Sequence, residues 1–89
     1  MARIEIYTTP FCGPCRRVQR LFDEKGVAYE LVNIQTSSAA RARMRARTGG
    51  RTDVPQVVVD DRPLGGVSDV LRLEGRGELD ALLTGNTPR

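Results

Sequence analysis

The chain has 89 residues, is 39% hydrophobic and 28% charged, and carries a net charge of +3, which suits one small folded domain rather than a disordered segment. It contains no histidine, which excludes Ser-His-Asp and Cys-His nucleophile systems and histidine-ligated metal sites. Its two cysteines are too few for a four-thiolate zinc site within one chain or for a disulfide-dense secreted scaffold.

The first part of the chain predicts a strand, a helix and a second strand. Isoleucines alternate with polar residues over residues 3–8, which is a strand pattern. From Cys12 onward apolar residues recur at helical spacing until Gly26, a residue that suits the left-handed end of a helix. Residues 29–34 form the second predicted strand, which we expect to lie parallel to the first after a right-handed crossover.

Alternating alanine and arginine residues follow the second strand. That alternation alone would permit another strand. The helix propensities of alanine and arginine, together with a serine cap at Ser37 or Ser38, favour a helix over residues 39–47 that stops at Gly49-Gly50.

The remaining elements are predicted to be a hairpin followed by helix. A strand over residues 56–60, a turn over 60–63 and a short strand from Leu64 form an antiparallel pair. Ser68 is the predicted N-cap of the next helix, and residues 78–83 form a last helical turn or two.

These elements predict one domain over residues 1–85 with the order β-α-β-α-β-β-α, followed by a frayed tail over 86–89. Apolar runs such as Val57-Val58-Val59 are far shorter than the roughly 20 residues that cross a bilayer. The N-terminus shows no signal-peptide pattern. We therefore expect a cytoplasmic protein with no membrane partner.

Positive charge is concentrated early in the chain, with a net +6 over residues 1–52 and −3 over residues 53–89. A series of arginines on and just after the predicted second helix accounts for much of it: Arg41, Arg43, Arg45, Arg47 and Arg51. The series suits a solvated helix face, an acidic partner or a nucleic acid. Because no aromatic residue interleaves with it, nucleic acid is disfavoured and a solvated face is the preferred interpretation.

The stretch Cys12-Gly13-Pro14-Cys15 is the part of the sequence that predicts chemistry. Placed after a strand, it puts Cys12 at the start of a helix, where free N–H groups and the helix dipole favour a thiolate. Cys15 follows one turn later, close enough to form a disulfide. We therefore predict that Cys12 attacks a substrate disulfide and that Cys15 resolves the mixed disulfide.

Two other interpretations of the cysteine pair remain. The cysteines could be ordinary small hydrophobic residues, or half of a metal site shared between two chains. A Cys-x-x-Cys beside a β-α-β pattern is typical of thioredoxin-like redox motifs, so the redox interpretation is preferred and no metal is expected.

The chain resembles the glutaredoxin family from Ile4 to Leu83. Four stretches carry the resemblance in order: Ile6-Tyr7-Thr8-Thr9-Pro10-Phe11-Cys12, Val54-Pro55-Gln56, Gly65-Gly66-Val67-Ser68-Asp69 and Arg76-Gly77-Glu78-Leu79. The resemblance implies a thioredoxin-like α/β fold, a four-stranded mixed sheet flanked by helices. It also implies glutathione-linked reduction of protein disulfides and glutathione mixed disulfides by a dithiol mechanism, with glutathione as co-substrate and disulfide-containing or glutathionylated proteins as clients.

The resemblance also implies a glutathione site. Pro55 would follow a cis peptide bond, and the backbone of Val54 would pair with the cysteinyl part of glutathione. The N–H groups of Val67 and Ser68 would bind the γ-glutamyl carboxylate at the start of a helix. Asp69 would receive the γ-glutamyl ammonium, although Ser68 and Asp69 are equally suited to simple N-capping. Arg41 is a further candidate contact.

The chain departs from the family pattern at three places. Gly13-Pro14 stands where the family usually has Pro-Tyr, Thr9 replaces a lysine, and Asp53 replaces a threonine. A carboxylate at Asp53 would also disfavour a thiolate at Cys12 if it pointed toward it. These departures keep a redoxin reduced by thioredoxin reductase as the alternative. The resemblance also implies a less favoured alternative, an iron–sulfur carrier built from two chains, which the proline in the cysteine motif disfavours.

Overall fold

The computed structural model of the chain describes residues 2–85, so the tail predicted over 86–89 lies outside the described residues. The elements follow in this order: β1 (Ile4–Thr8), α1 (Gly13–Glu24), β2 (Glu30–Asn33), α2 (Ser38–Thr48), β3 (Gln56–Val59), β4 (Arg62–Gly65), α3 (Val67–Gly75) and α4 (Leu79–Thr84). Over this described stretch, no helix has the length and apolar character needed to span a membrane.

The four strands form one mixed sheet in the order β2-β1-β3-β4. β1 runs parallel to β2 and antiparallel to β3, while β3 and β4 form an antiparallel hairpin. The register places Thr8 opposite Asn33 and Tyr7 opposite Gln56. The sheet class, the parallel first pair and the hairpin are confirmed, and the end of β1 lies beside the start of β3.

The hairpin differs from its prediction in where the fourth strand begins. β4 starts at Arg62 rather than Leu64, because the turn is confined to Asp60 and Asp61. Both aspartates have positive φ values, 51° and 65°. Two residues in that conformation make the tight turn whose twist matches the flanking strands, so pairing resumes at once.

The predicted N-cap at Ser68 is wrong. α3 begins at Val67, and its N-cap is Gly66. The Asp69 carboxylate, three residues into the helix, accepts the Gly66 N–H at 2.9 Å and so satisfies a donor that the helix itself cannot reach. The last helical turns predicted over residues 78–83 form the separate helix α4, which begins at Leu79 after α3 stops at Gly75, so two helices stand where the predicted element order has one.

One face of the sheet packs against α1, α3 and α4. The buried residues of this core are Ile4, Ile6, Val18, Phe22, Val57, Val59, Val70, Leu79 and Leu83. The aromatic rings of Phe22 and Tyr29 meet edge to face at its margin, with centroids 6.1 Å apart. This core fixes α1 against β1 and therefore holds the Cys12–Cys15 stretch at the end of the strand.

The other face of the sheet packs against α2, and it contains a buried carboxylate. Glu5 in β1 is only 2% exposed. Its carboxylate forms ion pairs with Arg43 and, at 3.4 Å, with Arg47, which lie one helical turn apart on α2. The guanidinium of Arg43 also lies 5.9 Å from the centre of the Tyr7 ring. The preferred interpretation of a solvated arginine face is therefore wrong for these two residues, which tie α2 to the sheet.

Candidate active site

Cys12 and Cys15 lie at the start of α1 and are joined as a disulfide, with their Cα atoms 5.2 Å apart. Cys12 is the N-cap of the helix and is partly exposed. Cys15 is fully buried beneath it. Pro14, in the first turn, suits a position where no backbone N–H is needed. Only the sulfur of Cys12 is therefore placed to meet a substrate.

The helix start contacts the sulfur of Cys12 directly. The backbone N–H of Cys15 donates to Cys12 Sγ at 3.2 Å. The first turn of α1 carries no acidic residue that would compete for the positive end of the helix dipole. This environment favours negative charge on Cys12 after reduction, which is the state in which sulfur is nucleophilic.

A groove of about 240 Å³ adjoins the active-site loop. The residues that line it come from the loop, from the approach to β3 and from the start of α3: Pro14, Arg51, Asp53, Val54, Pro55, Gly66, Val67, Ser68 and Asp69. The Val54–Pro55 peptide bond is cis, as the family resemblance implies. The structure thus brings five of the predicted site residues together on one side of the cysteine pair.

The start of α3 forms one wall of this groove. Val67 and Ser68 belong to the first turn, whose N–H groups have no partner within the helix. Gly65, with φ of 108°, allows the chain to turn into the helix, and a Cβ there would collide with the Asp69 carboxylate. The result is an anion-accepting helix start, with the dipole and the free N–H groups at the groove.

Asp53 and Arg51 also line the groove, and they form an ion pair with each other. The Arg51 guanidinium donates to both carboxylate oxygens of Asp53, at 3.2 and 2.9 Å. The hydrogen bonds from Arg51 lower the pKa of Asp53, and those same bonds, followed by the Asp53 charge, raise the pKa of Arg51. The Asp53 carboxylate is directed at Arg51, so its charge is partly compensated within the groove.

Arg41 lies elsewhere. Its guanidinium donates to the backbone carbonyl of Ile34 at 2.8 Å and to that of Gln35 at 3.2 Å, which fixes the loop between β2 and α2. It is not among the residues that line the groove beside Val54. The predicted contact between Arg41 and glutathione stays a prediction.

A second groove, of about 280 Å³, lies on the other side of β1. The end of β1, one side of α1 and the edge strand β2 line it: Thr8, Thr9, Pro10, Arg16, Gln19, Leu31 and Asn33. Phe11, in the active-site loop, is 92% exposed. The sequence places Thr8, Thr9, Pro10 and Phe11 in a stretch that carries the family resemblance and Arg51 in the arginine series, but it predicts neither this groove nor the ion pair of Arg51. The two-residue spacing of Arg51 and Asp53 was the only available signal for the ion pair.

A family model and the sequences of known proteins point to the same family. Residues 4–64 match the family model described as Glutaredoxin. A probable glutaredoxin of Synechocystis sp. is 42% identical over 82 residues, covering 92% of this chain and 93% of that protein. Glutaredoxin 3 of Escherichia coli K12 is also 42% identical, over 83 residues that cover 93% of this chain and 99% of that protein.

Solved structures show the same fold. The crystal structure of a buckwheat glutaredoxin–glutathione complex has a TM-score of 0.82 and 28% identity, and the match covers 98% of this chain and 83% of that one. The solution structure of glutaredoxin from Brucella melitensis has a TM-score of 0.77 and 35% identity, with 96% and 92% covered.

Proposed function

The chain belongs to the glutaredoxin family of thiol-disulfide oxidoreductases, and we propose that it uses glutathione to reduce protein disulfides and glutathione mixed disulfides by a dithiol mechanism. The observation that carries the proposal is that Pro14, in the loop between the two cysteines, lines the same groove as Val54 and the start of α3, while Cys12 is the N-cap of α1. A reactive sulfur there lies beside a surface suited to an anionic peptide.

The reaction begins at Cys12. Its thiolate attacks one sulfur of the substrate disulfide, and the other sulfur leaves as a thiolate that takes up a proton. A mixed disulfide then joins Cys12 to the remaining half of the substrate. The backbone N–H of Cys15, directed at Cys12 Sγ, stabilises the attacking charge before the bond forms.

Cys15 completes the reduction of a protein disulfide. Its thiolate attacks Cys12 Sγ, the second substrate sulfur leaves, and the Cys12–Cys15 disulfide forms. Two glutathione molecules restore the dithiol. The first forms a mixed disulfide with Cys12 and frees Cys15, and the second releases glutathione disulfide and the Cys12 thiolate. Each cycle thus moves two electrons from two glutathione thiols to one substrate disulfide.

The groove beside Cys12 supports glutathione as the co-substrate. In our proposal, the Val54 backbone pairs with the cysteinyl residue, and the N–H groups of Val67 and Ser68 receive the γ-glutamyl carboxylate. One oxygen of Asp69 accepts the Gly66 N–H, and its other oxygen lies 3.4 Å from Arg72. That second oxygen, held only by a long contact, is the one available to the γ-glutamyl ammonium.

Separate serine variants of the two cysteines test the mechanism. We expect Cys12→Ser to abolish turnover of both substrate types, because the exposed nucleophile is lost. We expect Cys15→Ser to retain reduction of a glutathione mixed disulfide, which needs one thiol, and to lose reduction of a protein disulfide. Turnover by Cys12→Ser, or loss of both activities in Cys15→Ser, would refute the assigned roles.

The electron donor is tested separately, because Gly13-Pro14 and Thr9 depart from the family pattern. Coupled assays that follow NADPH oxidation compare glutathione plus glutathione reductase with thioredoxin reductase alone. We expect efficient turnover only with the glutathione system. Preferential coupling to thioredoxin reductase would establish the alternative. The cytoplasmic location and the absence of a metal stay predictions.

A further inference from the structure

Three arginines on α1 lack the carboxylate partners that seven of the cationic side chains in the described residues have. Arg16, Arg17 and Arg20 are exposed on α1. Within residues 2–85, none of them forms an ion pair with a carboxylate. The positive end of the helix dipole repels the charges of Arg16 and Arg17, the two arginines nearest the start of α1. The positive charge of Arg16 and Arg17 is therefore uncompensated within the first turns after Cys12.

The groove between α1 and β2 places one of these charges next to apolar surface. Arg16 lines the groove together with Leu31, whose side chain is 48% exposed, and Pro10. Phe11 follows Pro10 in the chain and is 92% exposed. The combination of arginine with exposed aromatic and aliphatic side chains is typical of protein-binding surfaces.

The position of this groove separates it from the proposed glutathione site. β1 lies between β2 and β3, so the α1–β2 groove and the groove beside Val54 lie on opposite sides of the active-site loop. The two grooves share no lining residue. β2 is an edge strand, which leaves this side of the sheet open to an extended segment.

We propose that the α1–β2 groove is the docking site for protein clients and takes an extended acidic segment next to the client cysteine. A carboxylate of the segment pairs with Arg16, and an apolar side chain packs on Leu31 and Pro10. The proposal rests on the proposed disulfide reductase function. The exposed apolar side chains favour a protein segment over a nucleic acid, whose contacts would be mainly to phosphate.

The test compares two peptide substrates, each of which contains the same disulfide. They differ only in the residues that flank it, which are Glu-Leu-Glu in one peptide and Gln-Leu-Gln in the other. We expect wild-type protein to reduce the acidic peptide about tenfold more efficiently, as kcat/KM, at low salt. The ratio should fall toward one as ionic strength rises, because exposed charges are screened. A ratio near one at low salt would overturn the proposal.

Variants then assign the preference to the groove. We expect Arg16→Gln to reduce the ratio between acidic and neutral peptides about three- to fivefold, as for the loss of one exposed ion pair. Because the ratio compares two substrates of one enzyme, any effect of Arg16 on the reactivity of Cys12 cancels. Arg45→Gln, which removes an exposed arginine on α2, is the matched control and should leave the ratio unchanged. Equal effects in both variants would mean that only overall charge matters.

The remaining outcomes separate this proposal from the function on which it rests. Turnover of a glutathione mixed disulfide with no preference between the peptides would refute the docking site alone. Absence of turnover with every disulfide would refute the proposed function, and the docking site with it. A short single-stranded oligonucleotide that competes as strongly as the acidic peptide would show a general polyanion site and would also contradict the proposal.

Discussion

Gly65 offers a sharp test of how the start of α3 forms the wall of the active-site groove. Its φ of 108° is a conformation that residues with a side chain adopt only under strain, at a cost of about 1–3 kcal/mol. A Cβ at this position would also collide with the Asp69 carboxylate. Moving that carboxylate breaks its charge-assisted hydrogen bond to Gly66 N–H, which contributes about 1.5–3 kcal/mol.

We therefore expect Gly65→Ala to lower the free energy of unfolding by about 3.5 kcal/mol or more, the sum of a mid-range strain of about 2 kcal/mol and a lost hydrogen bond of at least about 1.5 kcal/mol. In a domain of this size that loss lowers the melting temperature by more than about 12 °C. The KM for a glutathione mixed disulfide should rise as well, since the N–H groups of Val67 and Ser68 shift. Urea unfolding followed by circular dichroism, and steady-state kinetics, measure the two effects.

Gly75→Ala is the matched control, because Gly75 ends α3, lacks a positive φ and has open space where a Cβ would lie. It should be neutral or stabilise the protein by about 0.5–1 kcal/mol. If the unfolding free energy of Gly65→Ala lies within 0.5 kcal/mol of the wild-type value, the geometric reasoning is wrong. It is also wrong if Asp69→Ala costs as much in the Gly65→Ala background as in the wild type, because the hydrogen bond of Asp69 should already be lost there.

Three other predictions follow from ion pairs and burial. Asp53→Asn should lower the KM for a glutathione mixed disulfide about two- to fivefold, because it removes a carboxylate that repels an anionic substrate; a higher KM in steady-state assays would contradict this. Burial is the main cause, and a hydrogen bond to Asp23 the second, that raises the pKa of Tyr29 to about 12 from its ordinary value of 10.0. The protonated Tyr29 therefore contributes to folding stability below pH 10, and this contribution is lost as the pH rises toward 12. Tyr29→Phe should make that loss shallower in urea unfolding between pH 9 and 11.5, and an unchanged slope would refute it. Arg43→Met should cost about 2 kcal/mol in the same measurement at pH 7, because buried Glu5 loses one of its partners, and a change below 0.5 kcal/mol would be inconsistent with that pairing.

The features that depend on local sequence could be predicted. The position of Cys12 at a helix start follows from a strand, a proline and helical spacing within a short stretch. The cap of α2 at Ser37 is likewise local, since its hydroxyl accepts the N–H of Ala40 at 3.0 Å. The α3 cap was misassigned to Ser68; the helix begins after Gly66, and the Asp69 carboxylate accepts the Gly66 N–H, which is half of a capping box.

The features that depend on contacts between distant elements could not be predicted. The alternation around Glu5 predicted a strand, but it gave no sign that α2 covers this face of the strand and provides arginines for the buried carboxylate. The α1–β2 groove arises because β2 is an edge strand, which depends on the sheet order rather than on any local pattern. Residue identity alone did not indicate that Arg43 is paired while Arg16 is not.

The complete burial of Cys15 beneath a partly exposed Cys12 has a consequence for oxidative stress. Peroxide reaches Cys12 and can convert its thiolate to a sulfenic acid. Condensation of that acid with Cys15 expels water and gives the same intramolecular disulfide as the catalytic cycle. The neighbouring thiol thereby diverts Cys12 from irreversible sulfinic and sulfonic acids, so damage by peroxide ends in a form that thiols can repair.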